Sequence, residues 1–257
     1  MWSRIADGMA IGTPIENLLL DPQLEGDGLF PPGRGGGDIG KDSFRRLRQR
    51  ATARLSMRNG QARASVLVVG LGGPKIPNEV VYASEALGRE LARAGFALLS
   101  GGWPGVDHMV CREYVRELRL LEIPSVQLLT HVIPANTTPD LWSMQDMRGE
   151  GGLDASGSPD QSMPRSVERS DFVVIVGGVG GTYEIAQLAE KFNRPAFPIP
   201  GTGGVADKLA EQDSAVRPLD GYPSAWRAIR EVVARMENYP AQNGELDRYR
   251  RSTAGKP

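Results

Sequence analysis

From Ser65 onward, short apolar β-branched runs that end in glycine alternate with longer stretches whose apolar residues recur at helical spacing. SVLVVG runs into GLGGPK and reads as a buried strand followed by a turn. In NEVVYASEALGRELARAG, Val81, Leu87, Leu91 and Ala92 fall at helical spacing, with an acid near the start and Gly95 as a stop. FALLSGG is a second strand, PGVDHMVCREYVRELRLL a second amphipathic helix and PSVQLLTHVI a third strand. Residues 134–163 then read as a long polar loop. The alternation resumes with the strand SDFVVIVGG, the helix TYEIAQLAEKF and the proline-limited edge strand RPAFPIPG. Two helices follow, around Val205–Gln212 and Ser224–Asn238, the second with Trp226, Ile229, Val233 and Met236 on one face.

This order predicts an α/β, Rossmann-like, doubly wound and mostly parallel sheet flanked by helices. Its strands are expected at about 65–70, 96–100, 124–132, 171–176 and 195–199. The domain spans 65–240. Before it, residues 1–64 form an N-terminal extension, partly irregular because its glycines and prolines oppose regular packing, and after it 241–257 is a polar tail. The extension ends in FRRLRQRATARLSMRNGQAR, with seven arginines and no acid.

Composition narrows the function classes. Lys+Arg (30) and Asp+Glu (31) nearly cancel, which leaves nucleic acid without an electrostatic pull from the whole chain. The arginine segment accordingly reads as a solvated helix or linker. No apolar run approaches the roughly 20 residues of a membrane helix, and the N-terminus lacks a signal peptide's clean apolar run. A cytoplasmic chain with no membrane partner is expected. The one cysteine, Cys111, suits a reducing compartment and reads as a buried structural thiol. His108 and His131 have no cysteine or acid at metal-ligand spacing, so no metal and no cofactor are expected.

Three strand ends lead into glycine: GLGGPK (70–75), SGGWPGVD (100–107) and GGVGGTYE (177–184). In an open parallel sheet, ligands sit outside the carboxyl ends of the strands. Glycine lets backbone N–H groups approach an anion closely, and the third turn also opens a helix. The expected ligand-binding residues are Gly72, Gly73, Lys75, Gly101, Gly102, Asp107, Gly177, Gly178, Gly180, Gly181, Thr182 and Glu184. Lys75 is a candidate phosphate partner. Asp107 either accepts from a ribose or caps its helix. Trp103 either stacks on a base or covers the sheet edge.

YASEALGRELARAGFALLSGGWPGVD and SDFVVIVGGVGGTYEIAQLAEKFNRPAFPIP together resemble the LOG/SLOG superfamily, over roughly residues 65–238. That group comprises cytokinin-activating phosphoribohydrolases, DprA-type DNA-processing proteins and SLOG domains that sense NAD-derived nucleotides. The resemblance implies a homo-oligomer, expected to be a dimer, to which the apolar face of Ile185, Ala186, Leu188 and Ala189 could contribute. It also implies a nucleotide-derived small molecule as partner, either an ADP-ribose-like or cyclic nucleotide signal, or a nucleoside 5'-monophosphate cleaved by an N-glycosidase. The hydrolases carry Pro-Gly-Gly-x-Gly-Thr-x-x-Glu. Aligning Gly177, Gly178 and Gly180 with its glycines makes Glu184 the motif glutamate and puts Gly181 in place of threonine; aligning Thr182 instead puts Ile185 at the glutamate. The first register keeps the glycines and the acid. An enzyme of this kind would use Glu184 with a cation such as Arg165, although the hydrolase arginine, nine residues before the strand's aspartate, falls here on Ser162.

Overall fold

The computed structural model describes residues 62, 64–73, 75–135, 145–155, 157–212 and 224–243. The expectations for the extension, apart from Ala62 and Ala64, and for residues 244–257 lie outside the described residues.

Six parallel strands form one sheet: β1 (Ser65–Gly70), β2 (Ala97–Ser100), β3 (Leu129–Ile133), β4 (Gly152–Ala155), β5 (Phe172–Val176) and β6 (Ala196–Ile199). Their spatial order is β4-β3-β2-β1-β5-β6, so the direction of winding reverses between β1 and β5. The helices are α1 (Asn78–Ala94), α2 (Val106–Leu120), α3 (Pro159–Arg169), α4 (Gly181–Lys191), α5 (Gly204–Ala210) and α6 (Ser224–Asn243). The expected Rossmann-like α/β fold is present, with β6 at an edge as its prolines required. None of the described helices is long and apolar enough to cross a membrane.

The sheet is buried on both faces, which is why its central strands read as unbroken apolar runs. Val66 and Val68 of β1 join Phe172, Val174 and Val176 of β5 in a core under α1, α2 and α6. Leu67, Val69, Val173 and Ile175 face the other way, under α3, α4 and α5. Phe172 meets Phe96, Phe197 and Tyr239 edge to face at 6.1, 5.7 and 5.7 Å, which fastens α6 over β5 and β6. Gly95 ends α1 at φ 75° with its amide on Ala92 O, the stop its position implied. In α4, Ile185, Ala186 and Leu188 pack against the second core.

Two expectations need correction. The loop expected over 134–163 contains a short 3-10 turn at Gln145–Met147, all of β4 and the start of α3. The strand expected over 124–132 begins only at Leu129, because Ser125–Gln127 coil into a 3-10 turn after Pro124. β4 is too short to carry a periodic signal, and its residues alternate between half-buried and exposed. α3 carries a proline inside it, Pro164, and buries Val167 as its main apolar anchor.

Candidate functional site

The turns after β1, β2 and β5 are tied together where the winding reverses. Leu71 donates its amide to Val176 O at 3.2 Å, and Val106 donates to Leu71 O at 3.0 Å. The Thr182 hydroxyl donates to Gly70 O at 3.1 Å. The close approach requires glycine at 105: with φ at 98°, its absent Cβ would lie 2.4 Å from Leu71 O.

A cleft of about 440 Å³ opens at this junction. Its floor is β1 from Leu67 to Gly70, together with Val132 of β3. One wall is the turn after β2, with Gly101, Trp103, Pro104 and Asp107; the opposite wall is Val179, Gly181, Thr182 and Ile185. Ser162, Met163 and Ser166 of α3 complete it, and Leu71, Gly72 and Gly73 form part of its rim. Asp107 is the one ionisable side chain among the described lining residues.

The expected ligand-binding residues divide accordingly. Gly72, Gly73, Gly101, Asp107, Gly181 and Thr182 line the cleft. Lys75, Gly102, Gly177, Gly178, Gly180, Glu184 and Arg165 are not among its lining residues. Gly177 and Gly178 are occupied in holding the next helix. Gly177 donates to the Thr202 hydroxyl at 2.8 Å, and the two carbonyls accept the amides of Ala206 and Val205 at the start of α5. Glu184 is exposed on α4, whereas Ile185 turns into the cleft. Arg165 lies against β4, where its Nε and Nη2 donate to the Asp154 carboxylate at 3.1–3.2 Å and Arg169 pairs with the same group. Ser162, the position where the hydrolases have arginine, stands in the cleft wall.

At the start of α4, Thr182 N already bonds Val179 O, and Tyr183 N and Glu184 N both bond Gly180 O. The amides of Gly180 and Gly181 make no hydrogen bond among the described residues. They are the donors left at the positive end of an 11-residue helix. Gly180 precedes the helix at φ 41°, a conformation that side chains other than glycine's adopt only with strain.

Asp107, which the sequence left open between ribose acceptor and helix cap, bonds the turn after β2. It is the second residue of α2, whose cap position is Gly105, and its Oδ2 turns back to accept the amides of Gly101 at 2.9 Å and Trp103 at 3.1 Å. Burial pushes its carboxyl up to about 6, against the amides of Trp103, Gly101 and Gly102 and the Ser100 hydroxyl, which favour the charged form. One helical turn on, Cys111 is fully buried, as expected, and burial together with the Asp107 charge holds its thiol well above the ordinary range. His131 is buried with Nε2 3.1 Å from Glu150 O, and burial lowers it to about 4, so it is neutral at pH 7. His108 pairs with Asp146 at 2.8 Å.

Sequence reasoning missed the α3 side of the cleft and the apolar residues Val132, Val179 and Ile185. A signal for α3 was present in Ser158–Gln161, since the Gln161 side chain accepts the Ser158 amide at 3.0 Å as capping boxes do.

No protein-family model matches the chain, and no curated protein matches it. Among solved structures, the structural-genomics target TM1055 superposes with a TM-score of 0.51 at 23% identity, over 68% of this chain and 99% of that one. The molybdenum cofactor carrier protein from Chlamydomonas reinhardtii gives 0.47 at 22% identity, over 66% and 98%. DNA processing protein A from Helicobacter pylori gives 0.47 at 16%, over 72% and 83%. The likeness to TM1055 shows that this chain has the Rossmann-like fold implied by its resemblance to the LOG/SLOG superfamily.

Proposed function

We propose that the chain is a SLOG-type binding module for a nucleotide-derived ligand, ADP-ribose-like or a cyclic nucleotide, held in the cleft between the β1, β2 and β5 turns. The observation that carries this reading is the pair of amides at Gly180 and Gly181, left without partners among the described residues at the head of α4 and beside the cleft. An anionic group resting there meets N–H donors and the helix's partial positive charge, with no Cβ in its path. The two glycines of the β1 turn, Gly72 and Gly73, offer a second backbone surface across the rim, next to the exposed Lys75. The cleft's volume lies within the 300–1,000 Å³ or so of small-molecule sites.

The lining favours binding over cleavage. Glycosidic hydrolysis needs a carboxylate at the ribosyl carbon and a cation for the phosphate. The carboxylate in the wall, Asp107, is held by backbone amides, and Arg165 is taken up by Asp154. Incubating the protein with AMP, NAD and ADP-ribose, while following heat of binding and release of free base, tests the proposal. Saturable binding with the nucleotide recovered intact is expected. Stoichiometric release of adenine or nicotinamide would make the protein a hydrolase, and no binding of any of the three would remove the nucleotide reading.

A further inference from the structure

Two large apolar side chains stand exposed at the mouth of the cleft: Trp103 at 59% and Val179 at 67%. Both line it, from opposite walls. They belong to the turns after β2 and β5, the two strands that flank β1. With neighbouring strands about 4.8 Å apart, the roots of these turns are separated by about 10 Å. A flat ring touching a carbon atom on each face needs about 7–8 Å, two contacts of about 3.5–4 Å. The spacing of the two turns thus exceeds the thickness that one planar ring and its two contacts require.

The backbone that carries Trp103 is tied down, and its ring rests on Gly101. Its amide donates to Asp107 Oδ2 at 3.1 Å, and the same oxygen accepts Gly101 N at 2.9 Å. The indole lies against Gly101, where a Cβ would come within 2.8 Å of Cδ1 and 3.0 Å of Nε1. Glycine at 101 therefore makes the seat for the ring, and Asp107 holds the backbone that carries it. An aromatic face fixed before binding loses little conformational entropy when a partner stacks on it.

We propose that Trp103 and Val179 form a two-sided clamp for a planar heteroaromatic ring, and that Asp107 is the positioning residue that keeps Trp103 ready. The inference rests on the nucleotide reading for the other end of the ligand, the anion at α4, but the two ends are separable. The ring subsite takes neutral rings such as a nucleobase, by stacking and apolar contact.

The test is calorimetric titration of the full chain with adenosine (ring without phosphate), ribose 5-phosphate (phosphate without ring), AMP and ADP-ribose. Base–aromatic stacking predicts that Trp103→Ala weakens adenosine and AMP roughly 5- to 150-fold and leaves ribose 5-phosphate unchanged. Trp103→Phe keeps a ring and should bind adenosine within about threefold of wild type, the stacking face being retained. Asp107→Ala should reproduce the loss for adenosine, and Asp107→Asn should restore it, because an amide oxygen accepts the same two N–H groups. A second readout follows Trp103 itself: its emission, taken as wild type minus Trp103→Phe, should become more accessible to acrylamide in Asp107→Ala and remain as in wild type in Asp107→Asn. If Trp103→Ala leaves adenosine and AMP affinity unchanged, the clamp is refuted and the nucleotide reading stands. Adenosine binding that needs Trp103, with no gain from phosphate in AMP or ADP-ribose, keeps the clamp and removes the nucleotide reading. If wild type binds none of the four compounds, both fall.

Discussion

Replacing Asp107 by asparagine should make the protein more stable at neutral pH. Asp107 is 8% exposed, and its carboxyl is pushed up to about 6 from its ordinary 3.8, chiefly because burial penalises the charge. The folded state therefore holds this proton more tightly than the unfolded chain does. Stability from this group is greatest below about pH 4, where both states are protonated, falls as pH rises through 4 to 6, and stays at the lower level above 6. The gap amounts to about 3 kcal/mol at 1.36 kcal/mol per pH decade. Asparagine has nearly the same shape, its oxygen can accept from Gly101 and Trp103, and it carries no charge to desolvate. Urea denaturation of both proteins between pH 4 and 7.5 provides the assay. Wild-type stability minus variant stability cancels every other titrating group, including Glu150, whose carboxyl is held low by the Ser125 hydroxyl and Arg119. That difference should fall by about 2.4 kcal/mol from pH 4 to 7.5, the rest of the gap lying below pH 4. A difference that stays flat with pH, or rises, would refute the account of Asp107 as a buried charge kept at a cost to stability.

Other consequences follow from the same geometry. Gly181→Ala should fold at least as well as wild type, gaining up to about 1 kcal/mol of helix propensity, while its methyl near Met163 Cε, 3.5 Å from the added Cβ, lowers ADP-ribose affinity; melting and titration read the two effects separately. Gly105→Ala should destabilise by about 1–3 kcal/mol or more in urea, since φ is 98° and the added carbon would meet Leu71 O at 2.4 Å. His131 should show no ring titration by NMR between pH 5 and 8, because burial holds it at about 4; a midpoint near 6.5 would mean that it is not buried as described.

The parts of the fold legible in the sequence are those where burial on both faces writes an unbroken apolar run and glycine marks its end. SVLVVG and FVVIV are such runs, and the turns after them fall where the glycines put them. β4 and α3 were hidden for physical reasons. GLDA at a sheet edge needs no apolar continuity, and PDQSMPRSVER carries two prolines with Val167 as its one fully buried apolar anchor. The site was legible to the same degree. Glycine spacing located the three turns around the cleft, but it cannot distinguish a glycine that exposes its amide from one that serves the scaffold. Gly181 and Gly178 are neighbours in one motif; the first lines the cleft, whereas the second accepts the Val205 amide and leaves no room beside Thr182. The helical phase of α4 puts Ile185, and not Glu184, among the residues lining the cleft, and that phase is set by where the helix starts, at Gly181.

The most direct test of the account is calorimetric titration of ADP-ribose into the wild-type chain and into Gly181→Val, whose branched side chain would fill the approach to the α4 amides beside Met163. The account predicts saturable one-to-one binding to wild type with ADP-ribose recovered intact, and loss of that binding in a variant that melts normally. Equal affinity in the two proteins, or no binding to wild type, would contradict it.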